Sequence, residues 1–205
     1  MKTENNNEQL ILEAAETEFL EKGYTNTKTT AIAQKAGVTH AMLHYYFRTK
    51  ENLFQKVFQN KVRLVGDSLC QSVNENLSFE EMIRKFIESH FDFISRNPKL
   101  LNFVYNEVVI NKENRRFLLD QIRPKVESVM GNLAGLLAAE ISKGTVRPIQ
   151  IHELLINIAA LNAVTFMALS VAEDLIPGKN ADFFEKFIHE RKESNVQFVL
   201  NAMKI

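Results

Sequence analysis

The chain has 205 residues, with 25 basic and 25 acidic side chains, five histidines, one cysteine and no tryptophan. At about 100–200 residues per domain this is one large domain or two smaller ones, and 45% hydrophobic residues exclude a disordered chain. Seven glycines and four prolines are too few for the many turns of an all-β fold, and a lone Cys70 excludes a disulfide framework or a cysteine-based zinc site.

The zero net charge hides an asymmetry. Residues 1–21 carry a net charge of −5, residues 22–61 a net of +6, and the remainder a net of −1. A basic block confined to about 40 residues suggests a surface for a polyanion, against the plainer reading of a solvated charged face. Charges interrupt every apolar run in the first 20 residues, so no secretory signal is expected. Together with the single cysteine, this points to a cytoplasmic protein.

In chain order, Glu8–Lys22 reads as an amphipathic helix with Leu10, Ile11, Ala14, Ala15 and Phe19 on one side. Gly23 is its stop, and Tyr24 packs back on its end. Capping threonines at 27–30 then open a short helix carrying Ile32, Ala33 and Ala36. Gly37 breaks that helix, Thr39 caps a second running to about Phe47, and Thr49 caps a third that begins at Lys50. Two short helices joined by a tight glycine turn form the helix-turn-helix signature, with Leu43 and Phe47 anchoring the second helix.

On a helical wheel, Leu43 and Phe47 point inward, so Ala41 and Tyr45 point outward, with Met42 and His44 on the flanks and His40 near the start. A helix of this kind enters a DNA major groove with its N-terminal residues at the base edges. Candidate DNA-contacting residues are therefore Thr29, Thr39, His40, Ala41, His44, Tyr45 and Lys50. The threonines would serve phosphates through hydroxyl and helix-end N–H groups, and Lys50 would add a mobile charge. The spacing of His40 and His44 also suits a metal pair, but no acidic or cysteine ligand accompanies them, so no metal site is expected.

The run ILEAA, with Phe19, Gly23-Tyr24, Thr27, IAQKAGV, Leu43, YYF and TKENLF, resembles the TetR family of bacterial transcriptional repressors over about residues 10–58. Ala31 and Lys28 depart from the family's usual residues at surface positions. The resemblance implies that the matching positions contact DNA. It also implies an all-α protein: a three-helix helix-turn-helix DNA-binding domain at residues 1–48, and a larger helical ligand-binding and dimerisation domain at residues 49–205. The expected partners are a double-stranded palindromic operator, a second copy of the chain and an unidentified small-molecule effector, with repression as the default and no cofactor.

The remaining punctuation fits helices. Leu53 to about Asn76 reads as one connecting helix. Ser78–Glu81 is a capping box opening a helix that stops before Pro98, and Pro98 then opens Lys99–Ile110. Glu113–Lys143 contains Pro124, expected to kink or divide it, and Gly144 ends it. Ile149–Asp174 is apolar nearly all round, Pro177-Gly178 is a turn, and a last helix runs from Asp182 to about Met203.

The Leu154–Val171 stretch approaches the length of a membrane span, but Asn157, Asn162, Thr165 and Ser170 interrupt it and no basic residue flanks it. A buried interface is expected instead, and the resemblance implies that the helices near 149–174 and 182–203 pair with their symmetry mates. His90, Phe103, Asn106, Asn162 and Phe166 are candidate effector-pocket residues, weighed against an ordinary aromatic core. The sequence has no G-x-S-x-G, H-E-x-x-H, P-loop or dinucleotide motif, so no enzyme is expected.

Overall fold

A computed structural model describes residues 2–70, 77–176 and 181–205, and among these it contains helices and no strands. The elements are α1 (Lys2–Asn26), α2 (Thr29–Lys35), α3 (His40–Phe47), α4 (Lys50–Cys70), α5 (Phe79–Arg96), α6 (Pro98–Val104), a π-helical turn (Tyr105–Ile110), α7 (Lys112–Lys143), α8 (Ile151–Leu175) and α9 (Ala181–Met203). They form two compact units. One comprises residues 1–65 and 102–122, the other residues 66–101 and 123–205.

In the first unit, α1, α2 and α3 pack on one another around Ile11, Ala15, Phe19, Ile32, Ala33, Leu43 and Phe47. Gly23 interrupts α1 with φ 71 and ψ 172, and the Tyr24 ring then stacks 6.2 Å from Phe19. Phe54 meets Phe19 edge-on at 5.1 Å, and Phe54 and Phe58 pack against Phe103. The sequence reads Lys99–Ile110 as one α-helix. Instead, α6 widens into the π-turn at Tyr105, and Glu107 is buried there. Its carboxylate accepts the Tyr24 N–H and the Asn114 amide, both at 3.2 Å.

In the second unit, α5 packs on α8 and α9. The Ser78 capping box opens α5 with its reciprocal hydrogen bonds in place. The core is built from Ile83, Ile87, Leu133, Leu137, Leu154, Ile158, Val196 and Leu200. The helix α7 continues through Pro124, although the division between the two units falls at residues 122/123. Gly144, at φ 71, ends α7, with the Thr145 N–H reaching back to the Glu140 carbonyl. The expected extension of the connecting helix to Asn76 and the Pro177-Gly178 turn lie outside the described residues.

Candidate nucleic-acid interface

The α2–α3 corner forms because Gly37 takes φ 68, which lets the Gly37 N–H reach the Gln34 carbonyl at 3.1 Å and the Val38 N–H reach the Ala33 carbonyl at 3.0 Å. This paired arrangement closes α2 and redirects the chain. Thr39 then caps α3, its hydroxyl accepting the Met42 N–H at 3.2 Å. The α3 wheel is as the spacing requires: Leu43 and Phe47 are buried, Met42 and Tyr46 half-buried, and His40, Ala41, His44 and Tyr45 exposed. Tyr45 is 67% exposed and meets the Tyr46 ring edge-on.

The Thr29 hydroxyl lies 3.0 Å from His40 Nε2, so the starts of α2 and α3 are tied together at the exposed end of the corner. Lys50 is less free than the sequence suggests. Its ammonium sits 4.5 Å from the centre of the Tyr24 ring and donates to the Thr25 carbonyl at 3.4 Å. The Tyr24 phenol in turn hydrogen-bonds Glu51, and this carboxylate together with burial pushes the phenol above its ordinary range.

Much of the charge asymmetry is spent inside the unit. Lys22 and Lys35 both reach Glu18, at 2.5 and 3.2 Å, and Lys61 pairs with Glu16. The Glu18 carboxyl is held below its ordinary range by hydrogen bonding to Lys22, helped by Lys35. The glutamates of α1 thus clamp α2 and α4. Lys22 stands four residues from Glu18 on the same helix, but the pairs to Lys35 and Lys61 and the contacts of Glu107 with Tyr24 are long-range and carry no signal in residue spacing.

The candidate pocket residues divide between the units. Phe103 is part of the aromatic cluster of the first unit, and Asn106, also in that unit, is exposed. His90, Asn162 and Phe166 are in the second unit. Asn162, fully buried, donates to the Ile87 carbonyl at 3.0 Å, lies 3.1 Å from His90 Nδ1 and accepts the Asn195 amide at 3.0 Å. Burial pushes the His90 imidazole down to about 4. The neutral ring with its proton on Nε2 therefore suits the donating Asn162 amide. Phe166 packs 4.8 Å from Phe91. Among the described residues, no three His, Cys, Asp or Glu side chains gather as a metal site.

The face of α8 opposite that cluster is a second exposed feature. Ile156, Ala160, Val164, Met167, Val171 and Leu175 follow one another at helical spacing and are all exposed, while Leu154, Ile158, Asn162 and Thr165 line the buried side. This explains why the helix is apolar nearly all round. By length and composition alone it would also cross a membrane. Between this stripe and α9 runs a groove of about 520 Å³, lined by Asn157, Ala160, Val164, Phe198 and Ala202 and bordered by Arg147 and Arg191.

Residues 11–57 match the family described as bacterial regulatory proteins, tetR family. The fatty acid metabolism regulator protein of Bacillus subtilis is 23% identical over 137 residues, covering 67% of this chain and 69% of that protein. A bacterial regulatory protein in the tetR family from Rhodococcus RHA1 superposes with TM-score 0.70 at 16% identity, over 96% of each chain. The transcriptional regulator FadR from Bacillus subtilis, in complex with stearoyl-CoA, superposes with TM-score 0.63 at 16% identity, over 95% of this chain and 98% of that one.

Proposed function

This chain belongs to the TetR family of bacterial regulatory proteins by its N-terminal domain, and from that premise we propose that it is a ligand-responsive repressor that grips a palindromic operator as a homodimer. Proteins of this family are DNA-binding transcription regulators and not enzymes. The observation that carries the reading is α3: a capped helix, anchored by Leu43 and Phe47, whose exposed side offers His40, Ala41, His44 and Tyr45. Small Ala41 lets the helix approach the bases and suits a thymine methyl, the histidines donate to base or phosphate acceptors, and the Tyr45 phenol serves a phosphate. Thr29, Thr39 and Lys50 complete the contact set, with residues 1–48 as the DNA-binding part and 49–205 as the sensing and dimerising part of a cytoplasmic protein.

The exposed α8 stripe and the α9 groove support a second copy as their cover. A continuous apolar stripe of this length is rare on a monomer, and a four-helix interface would bury it. The other face of α8 holds Asn162 and Thr165 in the hydrogen-bonded interior of the unit, which favours a protein partner over lipid. Two recognition helices related by a two-fold axis then read half-sites about 34 Å apart or a multiple of that. An effector bound in residues 49–205 would shift α4 and change that separation, lowering operator affinity. His90, Asn162 and Phe166 are the candidate effector-facing residues of the second unit, and Phe103 and Asn106 are the candidates that fall in the first.

Selection of binding sites from random duplexes tests the reading. A two-fold symmetric consensus supports it, and failure to enrich any duplex overturns it. The B. subtilis relative with bound stearoyl-CoA makes that compound the first effector to try. Release of the selected DNA on its addition supports a fatty-acyl effector.

A further inference from the structure

We propose that Arg48 is a phosphate-contacting residue of the DNA interface, held at the end of the recognition helix by a strained γ-turn. The inference rests on the DNA-binding reading above and adds a residue that the sequence reading did not single out.

Arg48 has φ 63 and ψ −53, and it is the one non-glycine with positive φ among the described residues. The Thr49 N–H donates to the Phe47 carbonyl at 2.6 Å, closing a three-residue turn around Arg48 in the hand that is rare and disfavoured for any residue with a Cβ. Both flanks fix it. The Arg48 N–H ends α3 on the His44 carbonyl at 2.9 Å, and the Thr49 hydroxyl caps α4 through the Asn52 N–H at 3.1 Å. One residue has to join two helices here, and glycine, which has no Cβ, would do it with less strain.

Among the described residues, nothing rewards an arginine at this position. Its side chain is exposed and has no hydrogen-bond or ion-pair partner among the described residues. The rest of the basic block sharpens the contrast. Lys22, Lys35 and Lys61 are paired with α1 carboxylates, and Lys50 is docked on Tyr24. Lys28 and Lys56 also have no partner among the described residues, but they stand on backbone that any residue adopts, Lys28 at φ −108 and ψ 133 and Lys56 within α4. Only at Arg48 does an unpaired cation coincide with a backbone that disfavours its side chain. Strain that persists without an internal return is a mark of function. Adjacent to α3, the ligand chemistry that suits a planar guanidinium is a phosphate oxygen pair on the duplex backbone.

The test uses the full-length protein, a random-sequence duplex of about 30 base pairs and the DNA upstream of its own reading frame, each titrated over a range of salt. Arg48→Gly removes the strain and the charge together. The expected result is a Tm raised by about 2–4 °C and an affinity lowered about tenfold on both DNAs, with the salt slope reduced by about one per subunit. Arg48→Asn, which removes the charge and keeps the Cβ, loses affinity in the same way without the rise in Tm, and Arg48→Lys restores the slope. Arg48→Gly or Arg48→Asn binding both DNAs with wild-type affinity and slope would overturn the assignment while leaving the repressor reading intact. A fall in Tm for Arg48→Gly would overturn the strain argument. Wild type failing to bind either duplex would count against the repressor reading itself.

Discussion

At the scale of single residues, the side chains that face outward or cap a helix were legible, and those that pair over long distances were not. The outward set of α3 and the caps at Thr39, Thr49 and Ser78 follow from periodicity and from local hydrogen-bonding habit. The engagement of Lys50 with Tyr24, the buried Glu107 and the pairing of Glu18 with Lys35 depend on residues brought together from distant parts of the chain, which spacing does not encode. If His44 reads bases, His44→Ala lowers discrimination at one or two operator positions by about 1–3 kcal/mol without changing the salt slope. An unchanged consensus after binding-site selection would remove His44 from the readers.

His90 gives a pH prediction at the same scale. The folded protein keeps this ring neutral down to about pH 4, whereas the unfolded chain protonates it near 6.5. Between those values the unfolded state binds the extra proton, so stability falls as pH drops from 6.5 toward 4. At pH 5 the group costs about 2 kcal/mol relative to neutral pH. In urea titrations at pH 7 and pH 5, His90→Gln is expected to lose less stability than wild type by about that amount. Equal losses in the two proteins would show that the ring is not held neutral.

At the scale of elements, the helices read well wherever glycine or a cap marks an end, and less well where the helix changes type or passes through proline. Gly23, Gly37 and Gly144 all end or break helices with positive φ, as their places in the pattern imply. The π-turn at Tyr105–Ile110 has no local signature, because burial of Glu107 against Tyr24 and Asn114 stabilises it. Pro124 removes one N–H from the ladder of α7, but the remaining turns and their packing carry the helix through. Gly37→Ala separates conformation from space. A Cβ there meets nothing within 4 Å, so any penalty comes from φ 68 alone. We expect a loss of about 1–2 kcal/mol in urea unfolding with no change in α3's exposed surface. A neutral substitution would mean that the corner does not need its left-handed residue.

For the whole molecule, the all-α architecture and the helix-turn-helix were legible from glycine scarcity and the α2–α3 pattern, whereas the two faces of α8 were not separable by composition. The structure separates them into a buried side, with Leu154, Ile158 and Asn162, and an exposed stripe, with Val164 57% and Leu175 73% accessible. Ala163, at the middle of the helix, is half-buried, so Val164 is the position where a charge would meet a partner rather than the helix's own unit. On the proposed function, this stripe pairs two copies and the pairing is required for operator binding. Light scattering and gel shift on one sample of Val164→Lys test it most directly. The expected result is a wild-type dimer that shifts its operator, and a folded variant that runs as a monomer and loses most of its operator affinity, because an unpaired charge in the interface splits the dimer and each half-site alone loses the benefit of linked binding. A wild-type monomer, or a variant that stays dimeric and binds DNA normally, would contradict it.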